Sequence, residues 1–369
     1  MEVTAISSAD EIRKALSSVI DPGLQVDLVT AAMVKNIDVA GGQAIIAIEL
    51  TTPACPSQSK IEADVVAAAS KVSGVSSVQV AFSSNVPARP SATAGGSMPL
   101  VKNIIAVSSG KGGVGKSTVT TNIAAALHAK GAKVGIMDAD VYGPSVPQMM
   151  GDPDVFASGN DKSKIGPAVH HGMKIISIGF FLERDRPVIW RGPMIHKLLQ
   201  QFIEDVDWGE LDYLLIDLPP GTGDAQLSLS QLIPITGAVL VTTPQEVAVL
   251  DVEKAFAMWK KVEVPVLGIV ENMSTFECPN CSHVEEIFSK GGGFDLAERV
   301  GVPFLGSVPL LSAVRVAGDG GKPVVLSQPQ SKAAAVFTDI ATTLACALSV
   351  RNRPAAGGGI RSGKLTLIR

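Results

Sequence analysis

Nine residues constrain this chain more than any others. Gly110, Lys111, Gly112, Gly113, Val114, Gly115, Lys116, Ser117 and Thr118 spell a glycine-rich phosphate-binding loop. The apolar run at 103–108 reads as a buried strand, and 118–130 reads as the helix that follows it. A strand-to-helix turn is the setting such a loop needs. There the glycines let backbone N–H groups close around phosphate oxygens, and the helix N-terminus adds positive potential. Lys116 reaches the β- and γ-phosphates, and Ser117 can ligate Mg²⁺.

After the loop, strand-like and helix-like segments alternate. The strand candidates are 103–108, 133–138, 173–178, 212–217, 237–243, 266–271 and 304–308. The pattern predicts an α/β P-loop NTPase fold, with a mostly parallel sheet and helices on both faces. Ligands of such sheets bind at the carboxyl ends of the strands. The stretch 86–100, rich in Pro, Gly, Ser and Ala, reads as a flexible linker. Before it, 1–85 reads as a small α+β domain: a helix at 9–19, strands at 33–39 and 44–50 turned by Gly41-Gly42, a helix at 57–70 and a strand at 75–82. The ATPase domain is then 101–350, closing on a helix at about 331–350, and 351–369 is a flexible tail.

Several polar residues fall where the carboxyl-end rule puts a site. Asp138 and Asp140 end the second strand, and turn-forming or capping aspartates are the plain alternative there. Residues 213–217 are an apolar strand ending in Asp217, the Walker B form that holds Mg²⁺ directly or through water. The loop that follows, LPPGTGD at 218–224, is stiff and then flexible, suited to rearranging around a γ-phosphate. Asn272 closes a later strand, where a simple turn asparagine is the competing reading.

Cys278 and Cys281 form a CxxC with His283 nearby. Two soft thiolates select Zn²⁺, Cu⁺ or an iron-sulfur cluster, but two are not four. Cys55 and Cys346 lie in the wrong context to complete the set. A redox dithiol is disfavoured, because Glu277, Glu285 and Glu286 flank the pair and are expected to raise the thiol pKa. Cys55 stands at a helix start, whose dipole should make it more nucleophilic. Cys346 reads as core, and His170 and His171 need no function.

The net charge of −4, with dispersed lysines, gives no footprint for nucleic acid. Residues 1–16 lack a signal-peptide core, and no apolar stretch approaches the roughly 20 residues that span a bilayer. The expectation is a cytoplasmic protein with no membrane partner.

Lys111, directly after the first glycine, resembles the deviant phosphate loop of the MinD/ParA/nitrogenase-iron-protein ATPases. In that group this lysine crosses a dimer interface to the partner's ATP. Asp140 then matches the aspartate that positions the attacking water, Asp138 supports Mg²⁺, and Asn272 matches the adenine-contacting asparagine. The loop, DADVYGPSVP at 138–147, WRGPM at 190–194, DLPPGTGDAQLSL at 217–229, and ENMS followed by CPNC occur together in order. Together they resemble the Mrp/ApbC-type iron-sulfur cluster carriers. That resemblance implies ATP and Mg²⁺ as cofactors and a homodimer that bridges a labile [4Fe-4S] cluster through Cys278 and Cys281 of two subunits. It further implies apo iron-sulfur proteins as acceptors and upstream assembly factors as donors. DPGLQVDLVTAAMVKNI and ELTTPACP in the front domain resemble the small iron-sulfur assembly domain, Cys55 taking the position of its characteristic cysteine and Gly23 standing where Glu is usual. Competing readings are a MinD/ParA-like positioning ATPase, for which the C-terminal decapeptide is too short and too weakly amphipathic, and an ATPase dimer holding structural zinc.

Overall fold

The computed structural model describes residues 8–89, 98–151, 155–156, 164–181, 192–221 and 223–352. Two compact units divide the chain, one of Met1–Pro87 with Ala345–Arg369 and one of Ala88–Leu344.

The smaller unit opens with α1 (Ser8–Leu16), then β1 (Ile20–Asp21) and β2 (Val26–Asp27), a short antiparallel pair. β3 (Val34–Ala40), β4 (Gln43–Leu50), α2 (Gln58–Ala69) and β5 (Ser77–Ser84) follow. β4 sits centrally, antiparallel to β3 and parallel to β5. Gly41 and Gly42 turn the β3–β4 hairpin with φ of 56° and 83°, the left-handed pair that a tight primed turn requires. Ala44, Ile46, Ile48 and Leu50 alternate along β4 and join Ile12, Leu16, Ile61 and Val65 in one core. Periodicity does not announce β1 and β2. They form because buried Asp21 accepts the N–H groups of Gly23 and Leu24, each at 2.8 Å, which closes the turn between them.

The larger unit runs β6 (Val101–Ser109), α3 (Lys116–Ala129), β7 (Val134–Asp138), α4 (Val146–Met150), β8 (Val155–Phe156), β9 (Ala168–His170), β10 (Met173–Ser177), α5 (Gly192–Glu204), β11 (Leu211–Asp217) and α6 (Asp224–Leu232). It continues through β12 (Gly237–Thr242), α7 (Glu246–Lys261), β13 (Val266–Glu277), β14 (Val284–Glu285), α8 (Gly292–Val300), β15 (Phe304–Leu310), α9 (Ser312–Asp319) and α10 (Val324–Ser327) into α11 (Lys332–Asn352). The sheet order is β14-β13-β12-β6-β11-β7-β10-β9-β8, with β15 also paired to β13. From β15 to β10 the neighbours are parallel, and β8, β9 and β14 add antiparallel edges. β11 and β12 are buried almost throughout, as strands covered on both faces must be. The register sets Asp217 beside Asp138 on one side and Val107 on the other, so the loops after β6, β7 and β11 open at one edge.

Two features depart from the sequence reading. Arg89, inside the stretch read as linker, is buried, and its guanidinium donates to the carbonyls of Val101 and Met98. Burial pushes it down to about 10. The other is α11, whose 21 residues are long and apolar enough to cross a membrane. More than half of it is packed inside the protein, Phe337, Ile340 and Leu344 with no exposure, which is the burial of a core helix.

Candidate functional site

The phosphate loop leaves β6 at Ser109 and enters α3 at Lys116. Gly113 and Gly115 take φ of 82° and 81°, a conformation that side chains resist, so the backbone can curl into an anion cradle. An open cleft of about 460 Å³ lies over it, lined by the loop residues with Asp140, Met149 and Pro220. Its floor is strongly polar. Lys116 Nζ is 2.9 Å from Asp217 Oδ2 and 3.6 Å from Asp140 Oδ2, and both Lys116 and Asp217 are buried. Ser117 Oγ donates to Asp217 Oδ2 at 2.5 Å, and Thr120 Oγ1 donates to Oδ1 at 2.8 Å. Lys111 lines the cleft, half-buried, and makes no ion pair among the described residues.

Asp138 sits one layer deeper. Ser177 Oγ donates to its Oδ2 at 2.8 Å and the Asp140 N–H to its Oδ1 at 3.2 Å. Burial raises its pKa first, and the neighbouring Asp217 charge adds to the rise. Burial also raises Asp140, with Lys116 pulling the other way. The Ser117 hydroxyl and the Asp217 carboxylate beside Lys116 are hard oxygen donors, the type that a divalent cation takes next to phosphate.

Asn272, at the end of the buried part of β13, donates from Nδ2 to the Val114 carbonyl at 2.8 Å. It is packed so tightly that a Cβ on Gly115 would fall 2.2 Å from that nitrogen. The structure therefore makes it a brace of the phosphate loop. Gln226 is another brace, and the sequence reading overlooks it. From the first turn of α6, its Nε2 donates to the Pro219 carbonyl at 2.9 Å and to that of Gly221, and Ser108 Oγ donates back at 3.5 Å. A buried glutamine two residues past a flexible loop was the available signal. Thr120 was missed for a similar reason: it lies one helical turn after Lys116, on the same face. Trp190 and Arg191 lie outside the described residues.

The cysteine pair lies beyond β13, which runs to Glu277, past the predicted end at 271. The Cys278 N–H donates to the His283 carbonyl and the Ser282 N–H to the Cys278 carbonyl, both at 2.9 Å, closing a tight turn. Cys281 is exposed and Cys278 partly so. The acidic neighbours do not set the thiol chemistry. The Asn280 N–H, then the Cys281 N–H and thiol, hydrogen-bond to the Cys278 sulfur and hold it below the ordinary thiol range, opposite to the expected direction. Among the described residues no group of three or more His, Cys, Asp or Glu could hold a metal, so one copy offers a two-thiolate chelate. Cys55 also corrects its expectation: burial pushes it up and outweighs the helix-start effect, and burial takes Cys346 up to about 12.

With this geometry in place, the comparisons with known proteins are specific. Residues 100–345 match the family described as NUBPL iron-transfer P-loop NTPase, and residues 9–82 match the iron-sulfur cluster assembly protein family. An iron-sulfur cluster carrier protein of Deinococcus radiodurans is 46% identical over 342 residues, covering 93% of this chain and 96% of that one. One from Synechocystis is 44% identical over 347 residues, covering 93% and 98%. Among solved structures, a nucleotide-binding protein of Archaeoglobus fulgidus in complex with ADP is 42% identical, with a TM-score of 0.54 over 61% of this chain and 88% of that one. The phosphate loop on its parallel sheet, the carboxylates facing Lys116 and the matches along nearly the whole chain agree: this protein belongs to the NUBPL iron-transfer P-loop NTPase family.

Proposed function

We propose that this protein is an ATP-hydrolysing carrier that takes up a labile [4Fe-4S] cluster and passes it to apo iron-sulfur proteins, having received it from upstream assembly factors. The carrying observation is the Cys278–Cys281 pair, one thiol exposed and the other partly so, the first held toward the thiolate by backbone N–H groups, in the same unit as the phosphate loop. A thiolate is the form that binds iron. One copy brings two sulfurs and a [4Fe-4S] cluster takes four, so the site is complete only when a two-fold axis pairs it with a second copy. Lys111, lining the cleft with no ion pair among the described residues, is the cation that would reach the partner's nucleotide. Bound Mg²⁺ would be held by Ser117 and Asp217 with Asp138 behind them, and it would neutralise charge on the transferred phosphoryl group. Asp140, which lines the cleft, would orient the attacking water. The named functions of the relatives support the cargo. In this reading residues 1–85 are an assembly-type domain, 86–100 the linker, 101–350 the ATPase domain and 351–369 a tail.

The test is anaerobic reconstitution of the full chain with iron and sulfide, followed by metal analysis, Mössbauer spectra and dimer mass. About four irons and four sulfides per dimer are expected, lost in Cys278→Ala. Tightly held zinc with no cluster would overturn the cargo assignment.

A further inference from the structure

Glu271 is a fully buried carboxylate that the phosphate chemistry does not use. Its Oε1 accepts the Gly291 N–H at 3.1 Å and its Oε2 the Gly293 N–H at 2.7 Å, across the first turn of α8. Charge-assisted bonds to helix-start N–H groups offset the cost of burying it. Its position in the chain is what matters. The next residue is Asn272, on the opposite face of β13, braced against Val114 and Gly115 of the phosphate loop. β13 then runs to Glu277, directly before Cys278, and the cysteine segment re-enters the fold at Gly291, whose φ is 90°. One strand therefore grips the phosphate loop with one side chain and, with its neighbour, grips the return end of the cysteine segment. Between that grip and the cysteines the strand is jointed. Met273 takes φ of 57°, and the register with β15 shifts between Asn272 and Phe276.

We propose that Glu271 is a positioning residue that couples nucleotide occupancy to the geometry and reactivity of Cys278 and Cys281. This rests on the reading of that pair as the cluster thiolates. A nucleotide that shifts the phosphate loop shifts Asn272, β13 carries the shift to Glu271, and the carboxylate moves Gly291 and Gly293 with it. Both ends of the cysteine segment then respond together.

The test uses the cluster-free full chain. Iodoacetamide alkylation of Cys278 and Cys281 is timed by mass spectrometry, with and without Mg²⁺ and a non-hydrolysable ATP analogue. In the unmodified protein the analogue is expected to change the rate by about fivefold or more. In Glu271→Gln, which keeps the shape but sets an amide against two N–H groups, the ratio should fall to about one while affinity for a fluorescent ATP analogue stays within about threefold. Gly293→Ala crowds the same contact from the other side, since its Cβ would lie 3.1 Å from Glu271 Cβ and 3.3 Å from Oε2, besides 3.0 Å from Thr242 Cγ2. It should give the same collapse. An unmodified protein with no nucleotide response, variants that keep the ratio, or variants that lose nucleotide affinity along with it would each overturn the proposal. No cluster enters this measurement, so a wrong cargo assignment shows in the reconstitution instead.

Discussion

Lys116→Ala is expected to lower ATP hydrolysis by at least about 100-fold, the scale lost when a preorganised cation is removed from a phosphoryl-transfer site. Thiol-dependent cluster uptake in vitro should survive, because the cysteine turn is closed by its own backbone bonds, 2.9 Å each, and none of them involves the phosphate loop. The same change has a thermodynamic cost. Lys116 is the cation between Asp217 and Asp140, and breaking a buried pair by removing one partner costs about 3–5 kcal/mol. Part of that cost depends on pH. Asp138 and Asp140 have pKa values raised above the ordinary carboxylate range, so the folded chain binds their protons more tightly than the unfolded one. Their contribution to stability is greatest in acid and falls as pH rises from the unfolded value, near about 4, through the raised folded values. Loss of Lys116, which lowers both, should steepen that fall. Urea unfolding at several pH values, beside steady-state ATPase and iron content, checks all three statements. Retention of ATPase within about tenfold would remove Lys116 from the transition state, and loss of the cluster would make the two sites inseparable.

Gly110→Ala should damage the fold more than any other single methyl in the phosphate loop. The added Cβ would lie 2.2 Å from the Asp251 carbonyl carbon and 2.5 Å from both its oxygen and the Val252 nitrogen. All three are backbone atoms in α7, so no side chain can swing aside, and either the loop or the helix must move. Overpacking that a side chain can relieve costs about 1–3 kcal/mol, and a backbone collision belongs at or above the upper end. For a unit of this size that is a Tm drop of about 6–12 °C. Gly112→Ala is the control, since its Cβ would meet only Pro220 Cγ at an ordinary 3.8 Å, and its Tm should stay near that of the parent. Equal melting of the two variants would show that the α7 contact yields without cost.

Much of this fold is legible in the sequence, and the reasons differ by element. Parallel strands buried on both faces announce themselves as apolar runs, so β6, β7, β11 and β12 lie within a residue or two of their predicted limits. β13 extends beyond 271, where the pattern ends it because Glu271 and Asn272 look like the end of a hydrophobic strand. Both are buried, and each is satisfied by a partner about 20 or more residues away in sequence. β8, β9 and β14 are two or three residues long, too short to carry a period. That the phosphate loop, Asp140 and Asp217 come together is readable, because each lies at the end of a predicted parallel strand at the same edge of the sheet. Gln226 and Thr120 are not, because what marks them is the loop or carboxylate they touch. The Cys278 thiol was misjudged in sign because local backbone N–H groups outweigh exposed carboxylates in the solvent around them.

The resting partners of Lys116 have a consequence for how nucleotide enters. The ammonium is paired with Asp217 at 2.9 Å and lies 3.6 Å from Asp140, so a triphosphate arriving at the loop does not find a bare cation. It competes with an internal ligand. The electrostatic gain of binding is then a difference between two satisfied states, with the displaced aspartates available to the metal that arrives with the nucleotide. Nucleotide is therefore expected to bind more weakly without magnesium than with it, since the metal would take up the charge of the displaced aspartates.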